Sequence, residues 1–176
     1  MRSSYDLQKP LCPRKRVGAR IMASLVAFQL CLASGAEAAS GPFVGLDGSW
    51  SGTGTISLKN GTKERLRCRV QYVVMRDGNN LQQALRCSSD SYQFQVNAYV
   101  DADKGALSGN WTEVSRNVTG RITGRADKSR IQVSVAAGGG FSAKMSMTTT
   151  GNRQSVTIQP KGTDVTLVSV TLNKAK

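Results

Sequence analysis

The sequence predicts an all-β protein, an antiparallel up-and-down barrel or a closely related sandwich of about ten strands. Three observations support this fold class. Apolar and polar residues alternate over most of the chain after Gly48, turn residues recur roughly every 8 to 12 residues, and no stretch shows a long helical period. The turn signals are Asn60-Gly61, Asp77-Gly78, Asp103-Lys104-Gly105, Asp127-Lys128-Ser129, Gly138-Gly139-Gly140, Gly151-Asn152 and Lys161-Gly162.

Each strand is predicted from the same pattern, in which apolar and polar residues alternate along the chain. In the first, Trp50, Ile56 and Leu58 share one parity, with Gly52 and Gly54 between them, where a missing side chain lets a strand bend. The later alternating segments are 92–100, 118–124, 131–135, 141–147, 156–158 and 165–172. A barrel or sandwich follows from this number of short strands and their even spacing.

A short phrase occurs twice in the chain. Residues 46–51 read Leu-Asp-Gly-Ser-Trp-Ser, and residues 107–112 read Leu-Ser-Gly-Asn-Trp-Thr, 61 residues further on. Self-similarity of this kind indicates a fold built from two related halves. The match is short, so chance similarity is the alternative.

The first 38 residues have the pattern of a cleaved secretory signal. A basic front precedes an apolar run at 21–33, and Ala36-Glu37-Ala38 supplies small residues for cleavage. The apolar run is shorter than the roughly 20 residues of a spanning helix. We therefore expect a signal peptide at 1–38, a linker at 39–47, a single barrel domain at 48–173, and a periplasmic or secreted protein that does not span the membrane.

Two cysteines remain after the predicted cleavage. Cys68 and Cys87 would form one disulfide in an exported chain. Asp77-Gly78 is a favoured two-residue hairpin turn, and pairing about it matches residues whose numbers sum to 155, which places the two cysteines opposite each other. A longer loop would shift this register.

The same register separates a core face from a basic face. Leu66, Cys68 and Val70 would point inward, and the arginines between them outward. Arg69 would lie opposite Arg86, a like-charge pair that costs stability unless an anion is near. The candidate anion-binding residues are Arg65, Arg67, Arg69 and Arg86. The alternative is a solvated outer face that keeps the protein soluble.

Composition argues against catalysis and points to a non-enzymatic binding protein. The chain has no histidine, so the usual general base and the commonest metal ligand are absent, and no metal or cofactor is expected. Glu113 is expected to pair with Arg116 or Arg121. Residues 39–176 carry 18 Lys and Arg against 9 Asp and Glu, a net charge of +9. The leading hypothesis is an exported protein that binds an anionic envelope component or an acidic protein, with no role in nucleic-acid binding.

The alternative function is a carrier of a small apolar ligand inside the barrel. Barrels of about this size are filled by side chains or hold one small ligand, and we expect a filled interior. The residues that would line a cavity are Trp50, Tyr92, Phe94, Trp111, Phe141 and Met145.

Five short stretches of the chain share a further pattern: residues 48–54, 64–70, 85–92, 111–113 and 116–120. They resemble a group of small exported proteins of alphaproteobacteria, and this resemblance implies no particular activity. The Gly48-Ser49-Trp50 opening is also similar to the first strand of lipocalins and to avidin-type barrels. This resemblance implies a ligand cup, although the second Gly-x-Trp copy departs from the lipocalin pattern.

Overall fold

The protein is an antiparallel barrel of ten strands in a computed structural model that describes residues 40–127 and 129–176. The strands are β1 Gly48–Leu58, β2 Lys63–Met75, β3 Asn80–Ser88, β4 Gln93–Asp103, β5 Ala106–Glu113, β6 Val118–Asp127, β7 Arg130–Ala137, β8 Ser142–Thr150, β9 Arg153–Lys161 and β10 Val165–Lys174. Each pairs with the next along the chain, and β1 pairs with β10 to close the barrel. The predicted fold class is confirmed, as a barrel. The predicted signal peptide lies outside the described residues.

The period of two in the sequence appears directly as inward and outward faces. In β2, Leu66, Cys68, Val70 and Tyr72 are buried, and the residues between them are exposed. The other strands follow the same alternation, so the core lies inside the barrel. Within the described ranges, no helix is both long and apolar enough to cross a bilayer.

The β2–β3 pairing has the predicted register. Cys68 lies opposite Cys87, and the two form a disulfide. The turn itself differs from the prediction, because a short 3-10 segment, Arg76–Gly78, and Asn79 connect the strands in place of a two-residue turn. The longer connection adds one residue on each side of Asp77-Gly78. The connection is therefore still centred between Asp77 and Gly78, and the paired residues are the predicted ones.

The seam between β1 and β10 depends on two glycines. A Cβ atom on Gly52 would overlap the carbonyl oxygen of Thr171, and one on Gly54 would overlap that of Ser169. No other residue fits without moving the backbone of β10. Glycine at these positions therefore allows the close approach of the strands that closes the barrel.

One end of the barrel is closed by the residues before β1. The stretch expected to be a linker packs Phe43 (1% exposed) and Leu46 into the core. The backbone N–H groups of Gly41 and Phe43 donate hydrogen bonds to the carbonyls of Asp77 and Gly78 in the β2–β3 connection. We call this end, which also carries the β4–β5, β6–β7 and β8–β9 connections, the closed end.

The repeated phrase does not occupy equivalent positions. Trp50 is the third residue of β1 and lies near the closed end, whereas Trp111 is the sixth residue of β5 and lies near the opposite end. Two related halves of a ten-stranded barrel would place the copies on β1 and β6. The structure thus gives no support to the predicted duplication.

Candidate functional site

The two ends of the barrel differ in how far solvent reaches the inner wall. Near the closed end most inward-facing side chains are buried, including Trp50, Leu81 and Leu172. Toward the other end, which we call the open end, Trp111, Ala143 and Val165 are also buried. Nine other inward-facing apolar residues near this end are only half-buried: Leu85, Cys87, Val96, Val118, Val135, Ala137, Phe141, Met145 and Ile158. The exposure of the inward-facing residues therefore increases toward the open end.

The opening is not symmetric around the barrel. Ile56 and Leu66, on the β1–β2 side, stay buried at the open end. At the closed end the partly exposed inward residues, Val74, Ala102 and Ala126, lie next to the rim. The half-buried apolar wall thus comprises residues of β3, β4 and β6 through β9, together with Phe141 just before β8. The expectation of an interior filled by side chains fits the closed end and stays a prediction for the open end.

A buried polar cluster of Tyr72, Gln154 and Thr149 lies near the closed end. The Tyr72 hydroxyl donates to Gln154 Oε1 at 2.9 Å, and Gln154 Nε2 donates to Thr149 Oγ1 at 3.2 Å. Gln154 is 0% exposed. Burial raises the pKa of Tyr72 above its usual value, against the opposing effect of the Gln154 hydrogen bond. A tyrosine is neutral at physiological pH even without this shift, so this buried cluster carries no charge.

The six residues predicted to line a cavity separate into two groups. Trp50 belongs to the filled closed end, where it packs edge-on against Tyr72 with ring centroids 6.4 Å apart. The other five lie in the half of the barrel that is open. Trp111 packs edge-on against Phe141 at 5.7 Å, and the rings of Tyr92 and Phe94 stack at 6.0 Å. Met145 is half-buried on the β8 wall.

The rim of the open end carries a buried carboxylate. Glu113 accepts hydrogen bonds from the backbone N–H of Gln95 at 3.1 Å and of Arg116 at 2.6 Å. The Arg116 guanidinium lies 3.5 Å from the same carboxylate and 5.9 Å from the centroid of the Phe94 ring. Burial raises the pKa of Glu113, but the hydrogen bonds and the Arg116 charge outweigh it, so the pKa lies below its usual value. The expected Glu113–Arg116 ion pair is confirmed.

The predicted basic stripe lies on the outside of the barrel. Arg65, Arg67, Arg69 and Arg86 are exposed, and Arg69 lies directly opposite Arg86, as predicted. None of the four forms an ion pair with a residue in the described ranges. The structure thus places these four side chains together on the outer face of β2 and β3, opposite to the inward-facing residues of the same strands.

The outer surface also has two shallow depressions. One, of about 300 Å³, lies over β7–β9 and is lined mainly by outward-facing polar residues, Gln132, Ser134, Lys144, Ser146, Thr157 and Gln159. The other, of about 470 Å³, borders Asn110, Thr119 and Arg121. Both lie on the outer wall of the barrel. No group of side chains suited to hold a metal ion occurs in residues 40–127 and 129–176.

Comparison with known proteins identifies similar folds. The chain is similar to the crystal structure of Rv2717c from M. tuberculosis, with a TM-score of 0.60 and 13% identity over 76% of this chain and 94% of that one. It is also similar to the S-type phycobiliprotein lyase CPES from Guillardia theta, with a TM-score of 0.50 and 10% identity over 74% and 88% of the two chains. No protein-family model and no curated protein matches the sequence. At these identities the likeness shows the fold alone, a closed antiparallel β-barrel.

Proposed function

We propose that this protein binds a small apolar ligand inside the barrel and admits it through the open end. The observation that carries the proposal is the set of half-buried, inward-facing apolar residues on β3, β4 and β6 through β9. Apolar surface that is left in contact with water is a source of binding free energy, roughly 25 cal/mol for each Å² that a ligand covers.

The strand number favours a cavity. Side chains just fill the interior of a barrel of about eight strands, and barrel diameter grows with strand number. This barrel has ten strands. Its closed end is filled with the help of Phe43 and Leu46, which come from outside the strands. The open end has no comparable insertion from the described residues, so room remains there.

The proposed binding is non-catalytic. The chain has no histidine, and Glu113 is already held by two backbone N–H groups and Arg116. Glu64 likewise accepts hydrogen bonds from the Ser89 hydroxyl and the Ser91 backbone N–H. A carboxylate that is fixed in this way is a poor general base. One of the similar solved structures is described as a phycobiliprotein lyase, and at 10% identity that activity does not transfer to this chain.

We also propose that the protein acts outside the cytoplasm. The signal pattern at 1–38 supports export. The Cys68–Cys87 disulfide is compatible with an oxidising compartment.

Binding of an anionic partner through Arg65, Arg67, Arg69 and Arg86 stays a prediction. The facing Arg69–Arg86 pair, without a nearby acidic partner in the described ranges, is the feature that favours it. Replacing Arg67, Arg69 and Arg86 by Ser should lower the salt concentration at which the protein elutes from a polyanion column by more than replacing three exposed basic residues elsewhere, such as Arg121, Arg125 and Lys144. Unchanged retention would identify the stripe as a solvated face.

The ligand hypothesis is tested by titrating the mature chain with N-phenyl-1-naphthylamine, a neutral apolar dye that fluoresces when it leaves water. We expect saturable binding at one site per chain. Absence of saturable binding to a folded, oxidised protein would contradict the proposal.

Adjacent residues of opposite orientation provide matched variants for this titration. Ala137 is half-buried and faces inward, whereas Ala136 is exposed and faces outward. Ala137→Met should weaken dye binding because the added side chain occupies the proposed cavity, and Ala136→Met should leave it unchanged. Val96→Lys and its outward neighbour Asn97→Lys repeat the comparison with a charge. Circular dichroism and thermal melting confirm that each variant folds. Equal loss in both members of a pair would exclude the interior as the binding site.

A further inference from the structure

The two tryptophans differ in how their indole N–H groups are satisfied. Trp50 Nε1 donates a hydrogen bond to the carbonyl of Leu46 at 2.7 Å. The side chain of Trp111 is only 8% exposed, and its Nε1 is buried with no acceptor among the described residues. Leaving a buried donor unpaired destabilises the folded protein, because the group has lost its hydrogen bond to water. The unpaired Trp111 N–H therefore needs an explanation.

The two tryptophans differ in hydrogen bonding because the repeated phrase begins before β1 in the first copy and within β5 in the second. Leu46 precedes β1, so its carbonyl is free to accept from Trp50. Leu107, the corresponding residue before Trp111, lies within β5 and is paired with strands on both sides. The same phrase thus supplies an acceptor in the first copy and none in the second.

The position of the Trp111 ring is fixed by its neighbour on β6. Gly120 lies opposite Trp111, and a Cβ atom there would come within 2.5 Å of Nε1. The ring is thus held against the wall in the open half of the barrel. Its other contact is Phe141, a half-buried side chain that follows Gly138–Gly140, and a Cβ on any of these three glycines would meet open space.

We propose that the Trp111 indole N–H is the polar anchor of the ligand site, so that the ligand is an apolar molecule with one uncharged oxygen acceptor, such as a ketone, ester or amide carbonyl. This inference rests on the proposed function. The ligand carbonyl reaches Nε1 by displacing the Phe141 ring, which packs against Trp111. The unpaired donor then gains its hydrogen bond on binding.

The surroundings of Trp111 favour an uncharged acceptor. The wall around it is formed by Ala98, Gly120 and Phe141, and a carboxylate would lose its hydration there without a countercharge. The nearest cation at the rim, Arg116, is already paired with Glu113. A neutral carbonyl has a much smaller desolvation penalty.

The test uses two probes of similar shape, 2-acetylnaphthalene and 2-isopropylnaphthalene, of which only the first has an acceptor. Because the chain has two tryptophans, the ¹⁵N-labelled protein gives two indole N–H resonances. The ketone should move the Trp111 resonance downfield and bind about tenfold more tightly than the hydrocarbon, the upper part of the range for one hydrogen bond. The Trp50 resonance should stay in place. Trp111→Phe, which assigns the resonance by its loss, should bind the ketone no more tightly than the hydrocarbon, because the carbonyl would be buried without a donor.

The outcomes separate the inference from the proposed function. Equal binding of both probes, with no downfield shift at Trp111, would overturn the inference and leave the apolar carrier intact. Binding of neither probe would overturn both. A Trp111 N–H bonded to a trapped water that the ketone does not displace would also overturn the inference. The resonances are read in the unmodified protein, so the test does not depend on the folding of Trp111→Phe.

Discussion

Removing the Tyr72 hydroxyl should destabilise the barrel measurably. The hydroxyl is buried and donates to Gln154 Oε1 at 2.9 Å, and Gln154 is itself fully buried. Tyr72→Phe leaves that amide oxygen without its donor inside the core, which costs about 1–3 kcal/mol of unfolding free energy. Tyr99→Phe is the matched control, because Tyr99 is 50% exposed and its loss should cost close to nothing.

The same substitution should change the pH dependence of stability. Burial raises the pKa of Tyr72 in the folded state, whereas in the unfolded chain a tyrosine titrates near its ordinary value of about 10. Below that pH both states hold the proton, and the contribution of Tyr72 is fully present. As the pH rises above about 10 the unfolded chain ionises first, so stability falls by up to about 1.4 kcal/mol per pH unit. Tyr72→Phe lacks this loss.

The assay is urea unfolding at pH 8 and at half-unit steps to pH 11, followed by tryptophan fluorescence. The wild-type and Tyr72→Phe curves should converge as the pH rises. Gln154→Met added to Tyr72→Phe should recover part of the loss at pH 8, because both polar partners are then replaced by apolar groups. Parallel pH profiles for wild type and Tyr72→Phe, or a cost at pH 8 equal to that of Tyr99→Phe, would refute the reasoning.

Three further predictions concern the disulfide, the barrel seam and the rim. Replacing Cys68 and Cys87 together by Ala should lower the unfolding free energy by about 3 kcal/mol, from the loop that the bond closes; a loss under about 1 kcal/mol in urea titrations would mean that the unfolded chain keeps the hairpin. Gly54→Ala should cost about 1–3 kcal/mol by overlap with β10, whereas Gly138→Ala, which meets open space, should be nearly neutral in thermal melts. Because the folded-state pKa of Glu113 is lowered, its contribution is present above the unfolded value of about 4.3 and is lost as the pH falls through the folded-state value. Glu113→Gln should therefore flatten the stability profile between pH 5 and pH 2, and an unchanged profile would contradict the assignment.

The features that the sequence predicted correctly are those set by local pattern. Alternation of polarity has a fixed period in a strand, so β2 and β3 and their faces could be assigned from residue type. The turn between them fixed the register closely enough to pair Cys68 with Cys87, although the connection is longer than expected. The numbers of paired residues in a hairpin have a constant sum. Adding one residue to each end of the turn leaves that sum, and hence the register, unchanged.

The features that could not be predicted depend on contacts between distant parts of the chain. Phe43 and Leu46 lie in a short stretch without alternation, and only the closed barrel shows that they fill one end. Without them neither end could be identified as open. The two tryptophans lie in the same short phrase, yet they lie near opposite ends of the barrel. Their hydrogen bonds also differ, because Leu46 precedes β1 and has a free carbonyl, whereas Leu107 is paired with neighbouring strands.

The difference between the two ends would allow one barrel to be stable and also to bind the proposed ligand. At the closed end, the inserted Phe43 and Leu46, the Trp50–Leu46 hydrogen bond and the Tyr72–Gln154 pair leave few groups unsatisfied. At the open end, the half-buried apolar wall and the unpaired Trp111 N–H leave stabilising contacts unmade. A ligand that makes those contacts binds the folded state alone, and so it should raise the stability of the whole barrel by RT ln(1 + [L]/Kd), where [L] is the free ligand concentration.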